Sequence, residues 1–165
     1  MAERDILLLG NKKLYRMCDE IKETELNKAQ QVVHDLHDTL MAFRKRVGFG
    51  RAIAAPQIDE PYRIIYMNLM GEATAFINPR MFFDDAEQFS LWDDCMSFPG
   101  LEVWVNRFTI CRLQYKDLAW QDREVSFTGD LAELLQHEYD HLDGILAVQR
   151  AVDNKSFRIN PEKNP

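Results

Sequence analysis

Residues 137–141 read His-Glu-Tyr-Asp-His, a pair of histidines four positions apart with a glutamate directly after the first. If this segment is helical, positions i and i+4 lie on one face, so His137 and His141 point in the same direction. Two imidazoles in that arrangement can bind one metal ion, and Glu138 lies at the edge of the same face, where it can take a proton from water. The pattern therefore predicts a helix that carries a hydrolytic metal site.

The flanking residues favour such a helix. Residues 130–136 are good helix formers, Gly129 stands just before them, and Gly144 follows at a position where glycine often ends helices. The alternative is that both histidines only form hydrogen bonds on a structural helix. A metal site would need a third ligand to be preferred over that interpretation.

A cysteine is the expected third ligand, because one thiolate and two imidazoles leave one tetrahedral position for water. Cys18 lies in an irregular N-terminal arm, and Cys111 falls inside an ordinary strand pattern. Cys95 lies in a loop between acidic residues and a Pro-Gly turn, so it is the candidate. Three cysteines cannot all pair, which argues against a disulfide framework and favours a reducing cytoplasm.

Length and composition limit the other possibilities. A chain of 165 residues, 46% hydrophobic and 28% charged, predicts one globular domain spanning residues 1–165. A net charge of −7 argues against a nucleic-acid partner. No apolar run approaches the roughly 20 residues that span a bilayer, so no membrane partner is expected. We expect a monomer or a weak dimer.

Apolar periodicity predicts a long helix over residues 24–47, with Thr24 as its N-cap and Gly48 as its end. Short apolar runs predict strands, the second of them stopped by Pro79, at residues 62–67, 75–78, 84–91, 103–105, 108–115 and 125–127. Residues 153–165 are polar and are expected to form a poorly ordered tail.

Residues 48–57 differ in character, because glycines and small residues dominate them. Such a segment lets the backbone approach a ligand or another strand closely. The amide of Gln57 at its end could donate to an oxyanion. The alternative is a glycine loop that leads into a tightly packed strand.

Taken together, three segments resemble the peptide deformylase family. That family carries the motifs G-x-G-[Leu/Ile]-A-A-x-Q, E-G-C-L-S and Q-H-E-x-D-H-L, in this order. Residues 50–57 match the first motif except at Ala52, and residues 136–142 match the third completely. Residues 93–97 match the second at the cysteine and the serine, with aspartates for Glu and Gly and Met96 for Leu. The resemblance extends from about residue 26 to residue 150.

The resemblance implies an α+β fold in which antiparallel sheets surround a central helix bearing H-E-x-x-H. It implies that Cys95, His137 and His141 hold one divalent metal ion, commonly Fe²⁺ and exchangeable for Zn²⁺, Ni²⁺ or Co²⁺. Glu138 would be the general acid and base, and the Gln57 amide with the Met96 N–H would form an oxyanion hole. The expected substrate is an N-formylated peptide, such as an N-formylmethionyl peptide, or a small formylated amine.

The resemblance also implies a set of substrate-binding positions, which are Gly50, Ala52, Ile53, Asp94, Asp130, Glu133 and Leu134. Three of these are acidic where the family usually has glycine, apolar residues or an arginine. With Glu102, they suggest an acidic pocket that suits a polar or cationic substrate better than a thioether. The alternative is that some of these acidic side chains point to solvent. Asp93, shorter than the family's glutamate, is expected to pair with Arg107.

Two other functions stay open. Zinc peptidases share H-E-x-x-H, so a small metallopeptidase is possible, although the cysteine ligand and the alanine-rich segment argue against it. A deformylase-like binding protein with little turnover is the third possibility, because Ala52 and Asp94 depart from the motifs.

Overall fold

The computed structural model describes residues 3–163, which form two long helices and two sheets. The helices are α1 (Leu26–Val47) and α2 (Gly129–Leu142). The strands are β1 (Ala52–Ala54), β2 (Ile64–Leu69), β3 (Glu72–Phe82), β4 (Gln88–Asp94), β5 (Leu101–Phe108), β6 (Ile110–Lys116), β7 (Asp122–Thr128) and β8 (Phe157–Ile159). Within these residues, neither helix combines the length and the apolar character that crossing a bilayer requires.

The strands form a five-stranded sheet in the order β1-β2-β3-β6-β7 and a three-stranded sheet in the order β4-β5-β8, with antiparallel neighbours in both. Helix α2 contacts β1 and β7 of the larger sheet and β5 of the smaller one. The predicted α+β fold, with antiparallel sheets around the helix that carries residues 137–141, is confirmed.

The two helices pack on opposite faces of the larger sheet, because successive side chains of a strand alternate between faces. Ile53, Ile64 and Tyr66 pack in the cluster under α1. Ala52 and Ala54, like Ile65, pack in the cluster with α2. Small alanines on β1 therefore let α2 approach this part of the sheet closely.

Helix α1 follows the apolar pattern of its sequence. It buries Ala29, Val33, Leu36, Leu40 and Phe43, and it ends at Gly48, which has φ 82°. Thr24 is not the N-cap, since residues 23–25 form a 3₁₀ turn and Glu25 occupies that position.

Strand β3 does not stop at Pro79. Its pairing with β6 shifts between Ile77 and Arg80, and Asn78 takes the left-handed φ of 49°. Proline lacks the N–H that a regular ladder needs, so the irregularity lies where the proline is. The Asn78 side chain bonds both the N–H and the carbonyl of Ile21, which ties this irregularity to the N-terminal arm.

The expectation of a poorly ordered tail is wrong for residues 153–163; residues 164–165 lie outside the described part of the chain. Strand β8 pairs with β5, and the Asn160 N–H donates to the Gly100 carbonyl at 2.7 Å. The physical reason is Glu102, a buried carboxylate on β5 that needs partners. Arg158, Asn160 and Lys163 supply them.

Candidate metal centre

Three side chains come together where the end of β4 meets α2. Cys95 lies immediately after β4, and His137 and His141 lie one turn apart on α2. The Cys95 Sγ lies 3.3 Å from Nε2 of His141, and the two histidine Nε2 atoms are 3.2 Å apart. All three donor atoms are buried and lie within 4.8 Å of one another.

This donor set fits a divalent metal ion. Tetrahedral bonds of about 2.3 Å to sulfur and about 2.0–2.1 Å to nitrogen place neighbouring ligand atoms roughly 3.3–3.6 Å apart. The observed distances of 3.2 and 3.3 Å are close to those values. With one thiolate and two imidazoles, one tetrahedral position stays open for water or substrate. Within residues 3–163, this is the group of His, Cys, Asp and Glu residues that could hold a metal.

Asp93 orients the first histidine. Its Oδ1 accepts a hydrogen bond from Nδ1 of His137 at 2.8 Å, so Nε2 of that ring faces the other ligands. Its Oδ2 accepts from Nη2 of Arg107 at 2.8 Å, which confirms the expected Asp93–Arg107 pair. Arg107 also donates to Asp140 at 2.6 Å, so the guanidinium joins β4 to α2.

Burial and neighbouring charges shift the pKa values of the groups around this centre. Burial opposes ionisation of Asp93, but His137 and Arg107 hold its pKa at about 2. Burial would lower the pKa of His137, and the charge and hydrogen bond of Asp93 raise it well above its usual range. Burial and the neighbouring His137 lower the pKa of His141. A neutral His141 is the form that binds a metal ion.

Glu138 lies beside the ligands and is 3% exposed. Burial raises the pKa of its carboxyl to about 7. Among the described residues, neither its Oε2 nor Nδ1 of His141 has a hydrogen-bond partner. A buried carboxyl with a free oxygen and a pKa near neutrality can both accept and release a proton.

Gln57 presents its amide to the centre. Its Oε1 accepts the N–H of Ala54 at 2.9 Å, which fixes the orientation of the side chain. Its Nε2 then lies 3.5 Å from the Cys95 sulfur and 3.2 Å from Oγ of Ser97. The Gln57 amide nitrogen therefore lies next to the sulfur of the metal centre and also contacts the Ser97 hydroxyl.

A cavity of about 730 Å³ opens from these groups to the surface. Of the site residues identified from sequence, those in its wall are Gly50, Ala52, Gln57, Asp93, Asp94, Cys95, Met96, Asp130, Glu133, Leu134, His137 and Glu138. His141 lies behind them, in contact with Cys95 and His137.

Ile53 is a correction. Its side chain is fully buried in the cluster under α1 and does not line the cavity. Strand alternation is the reason, because Ala52 and Ala54 face α2 and the residue between them faces the other way.

Sequence reasoning missed Arg51, Trp92 and Lys163, which also line the cavity. Arg51 occupies the variable position of the first motif, and Trp92 precedes the second, so their places could have been found from the motifs. Lys163 carried no signal, since it lies in the segment expected to be poorly ordered.

The four acidic residues near the cavity do not form an unpaired acidic pocket. Asp94 bonds Lys163 at 3.0 Å, and Arg51 bonds Glu133 at 2.8 Å and Asp130 at 3.2 Å. Glu102 does not line the cavity and bonds Lys163 at 3.0 Å. Each carboxylate that the sequence left open thus has a basic partner.

Comparison with known proteins gives one consistent result. The sequence model of the polypeptide deformylase family matches residues 3–157. Peptide deformylase 1 of Prochlorococcus marinus is 33% identical over 175 residues, which cover 98% of this chain and 88% of the relative. The peptide deformylase of Dictyoglomus turgidum is 36% identical over 130 residues, 79% of this chain and 81% of the relative.

Solved structures agree with these relatives. A crystal structure of a Legionella pneumophila peptide deformylase superposes with a TM-score of 0.84 at 27% identity, covering 94% of this chain and 89% of that one. A Met-Ala-Ser-bound class I type b peptide deformylase from Acinetobacter baumannii gives 0.82 at 26% identity, covering 90% and 98%. A match over most of the chain, together with the convergence of its three motifs on one metal centre, shows that this chain belongs to the peptide deformylase family.

Proposed function

We propose that this protein hydrolyses the formyl amide of N-formylmethionyl peptides, with Glu138 as its general acid and base. The observation that carries the proposal is the Glu138 carboxyl, which is buried, has a pKa of about 7 and lines the same cavity as Cys95 and His137, with an Oε2 that has no hydrogen-bond partner among residues 3–163. That position suits a proton carrier rather than a fourth ligand.

Cys95, His137 and His141 would hold one divalent metal ion. When bound, the ion supplies Lewis-acid polarisation and lowers the pKa of water. Ferrous iron is our preferred identity, with zinc, nickel and cobalt as substitutes that the same donors accept. Asp93 supports this role by fixing the ring of His137.

The chain's own groups perform the remaining steps. Glu138 removes a proton from the attacking water as the new C–O bond forms at the formyl carbon. The Gln57 amide and the Met96 N–H stabilise the oxygen that gains negative charge. Glu138 then delivers the proton to the amide nitrogen as the C–N bond breaks, which releases formate and a free amine.

The substrate assignment is supported by family membership and by the Acinetobacter baumannii relative, whose structure contains Met-Ala-Ser. We place the activity in the processing of newly made proteins, in the cytoplasm. The three free, buried cysteines are compatible with a reducing compartment. We propose no nucleic-acid or membrane partner, and a monomer or weak dimer.

The test is an assay of anaerobically purified, iron-loaded protein with formyl-Met-Ala-Ser. We expect stoichiometric release of formate and of the free amine. Unformylated Met-Ala-Ser and acetyl-Met-Ala-Ser serve as controls, and cleavage of their peptide bonds would instead indicate a metallopeptidase. Binding of formyl-Met-Ala-Ser without formate release would indicate a binding protein and refute the proposal.

A further inference from the structure

The inner end of the cavity is formed by α2 next to the metal centre. Glu133 precedes His137 by one helical turn, so the two side chains lie on the same face of the helix. Glu133 and Leu134 both line the cavity and are only 8% and 9% exposed. Glu133 and Leu134 thus form the wall that the first side chain of a substrate meets when its formyl carbon lies beside His137 and Glu138 and that side chain turns towards α2.

Glu133 gives the wall a charged group. Its Oε1 accepts from Nη2 of Arg51 at 2.8 Å, and within residues 3–163 Arg51 is the basic residue that bonds it. Burial raises the pKa of the Glu133 carboxyl, and Arg51 opposes that shift. A desolvated carboxylate with one partner can accept further hydrogen bonds from a ligand.

Arg51 does not depend on Glu133 alone. Its side chain is 41% exposed, and its Nη1 bonds Asp130, whose side chain is 81% exposed. If a ligand cation takes its place at Glu133, Arg51 keeps a partner at the surface and contact with water. The exchange therefore leaves no buried charge unpaired, which removes the main cost of admitting a cation.

Apolar and cationic side chains meet this wall differently. A methionine side chain shields the Glu133 carboxylate from water and offers it no hydrogen bond, so the carboxylate loses part of its solvation. A lysine or arginine side chain supplies the donors that the free positions of the carboxylate accept. The wall therefore favours a donor, most of all a charged one.

We propose that Glu133 is a specificity-determining residue, and that it selects formylated substrates whose first side chain is cationic. The inference rests on the proposed function and deepens it. Formyl-methionyl peptides are still hydrolysed, but formyl-lysyl peptides are preferred. Arg51 competes with the substrate for Glu133 and so limits this preference.

The experiment compares formyl-Lys-Ala-Ser with formyl-Met-Ala-Ser through the ratio of their kcat/KM values. Calorimetry measures the Kd values of the products Lys-Ala-Ser and Met-Ala-Ser, and their ratio is compared in the same way. The variants are Glu133→Leu, Arg51→Leu and, as a matched control at an exposed acid far from the cavity, Glu87→Leu. Calorimetry reports the side-chain preference even if no formate is released.

For the wild type we expect the lysyl substrate to be preferred. The Lys/Met ratio is kcat/KM for the lysyl peptide divided by kcat/KM for the methionyl peptide. Glu133→Leu should lower this ratio about tenfold or more, the worth of a charge-assisted hydrogen bond. Arg51→Leu should raise the ratio, since it frees the carboxylate, and Glu87→Leu should leave it unchanged.

A Lys/Met ratio that stays within about twofold of wild type in both Glu133→Leu and Arg51→Leu overturns the inference, whatever the overall activity. A wild-type preference for the methionyl peptide in both measurements overturns it as well. Absence of formate release from every peptide, with a Kd ratio that still depends on Glu133, refutes the proposed function and supports this inference.

Discussion

The carboxylate of Asp93 lies 2.8 Å from Nδ1 of His137, while its other oxygen lies 2.8 Å from Arg107. The residue two positions before Cys95 thus fixes a histidine ligand that is 44 positions away in the chain. Replacing this carboxylate should loosen the His137 ring. Such outer groups are typically worth about 10–100-fold in metal affinity.

We therefore expect Asp93→Ala to lower metal affinity by about 10–100-fold, measured by competition with a chelator. Asp93→Glu, which keeps the carboxylate, should retain most of the affinity. Equal metal affinity in Asp93→Ala and wild type would show that His137 is held by other contacts.

One divalent ion should bind per chain, through Cys95, His137 and His141. In the cobalt-loaded protein, thiolate-to-cobalt charge-transfer absorption should be present in wild type and absent in Cys95→Ser. Cys111→Ser, at a buried cysteine outside the metal centre, is the matched control and should keep the band. Chelator treatment should abolish hydrolysis, and added ferrous ion should restore it. A charge-transfer band that survives in Cys95→Ser contradicts the ligand assignment.

Glu138→Gln should keep the metal and lower kcat by at least about 10²-fold, the scale of general acid–base catalysis. The amide has nearly the same shape as the carboxyl but cannot carry the proton. Metal content and kcat are measured on the same preparation. If the variant hydrolyses formyl-Met-Ala-Ser at nearly the wild-type rate, another group moves the proton.

The attachment of β8 should depend on pH through Glu102. Asn160, Lys163 and Arg158 lower the pKa of this carboxyl in the folded protein, although its burial opposes them. A lowered folded pKa stabilises the fold above the unfolded value of about 4.3, and this contribution is lost as pH falls through the folded pKa. Urea unfolding should show Glu102→Gln less stable by about 1.5–3 kcal/mol at pH 7, the scale of a hydrogen bond to a charged group.

The difference between Glu102→Gln and wild type should shrink as the pH is lowered below about 4.3. Glu23→Gln, at an exposed carboxylate on the 3₁₀ turn that precedes α1, is the control. A stability difference that stays constant from pH 7 to pH 3 would rule out ionisation of Glu102 as its source.

Gly144 should tolerate no side chain. Its φ is 71°, and a Cβ there would lie 2.5 Å from the Tyr15 carbonyl oxygen. The left-handed backbone alone costs about 1–3 kcal/mol for a non-glycine residue, and the clash adds to it. Gly129→Ala shares a left-handed φ of 58° but meets nothing within 4 Å, so it isolates the backbone cost. Urea unfolding should show Gly144→Ala the less stable of the two, and equal losses would contradict the close approach.

The helices and the grouping of His137 with His141 were predictable because local patterns encode them. His137 and His141 are placed by helical geometry, and the apolar period of residues 24–47 locates α1. The alternation of side chains along β1 also predicts the position of Ile53. Ala52 and Ala54 face one side of the sheet, so Ile53 between them faces the other side. The family motif alone does not distinguish the two faces of this strand.

The cavity wall was harder to predict, because ion pairs between distant residues decide it. Arg51 and Glu133 are separated by 82 positions, and Lys163 and Asp94 by 69. No local pattern links such residues, so each acid could be read as free. Because the acidic residues are paired with basic ones, the cavity is not an acidic surface. The carboxylate at its inner end is Glu133, for which Arg51 and a ligand compete.

The contact of Lys163 with Asp94 has a consequence for the order in which a growing chain can assemble. Domains fold during synthesis as their segments emerge, and Cys95 emerges before both histidines. The three residues proposed to hold the metal can meet once residue 141 is available, but the wall at Asp94 is completed only when residue 163 has followed. A nascent chain between those two lengths would hold the ligands of the site in an incomplete pocket. Its first metal ion could therefore bind before the substrate cavity is finished.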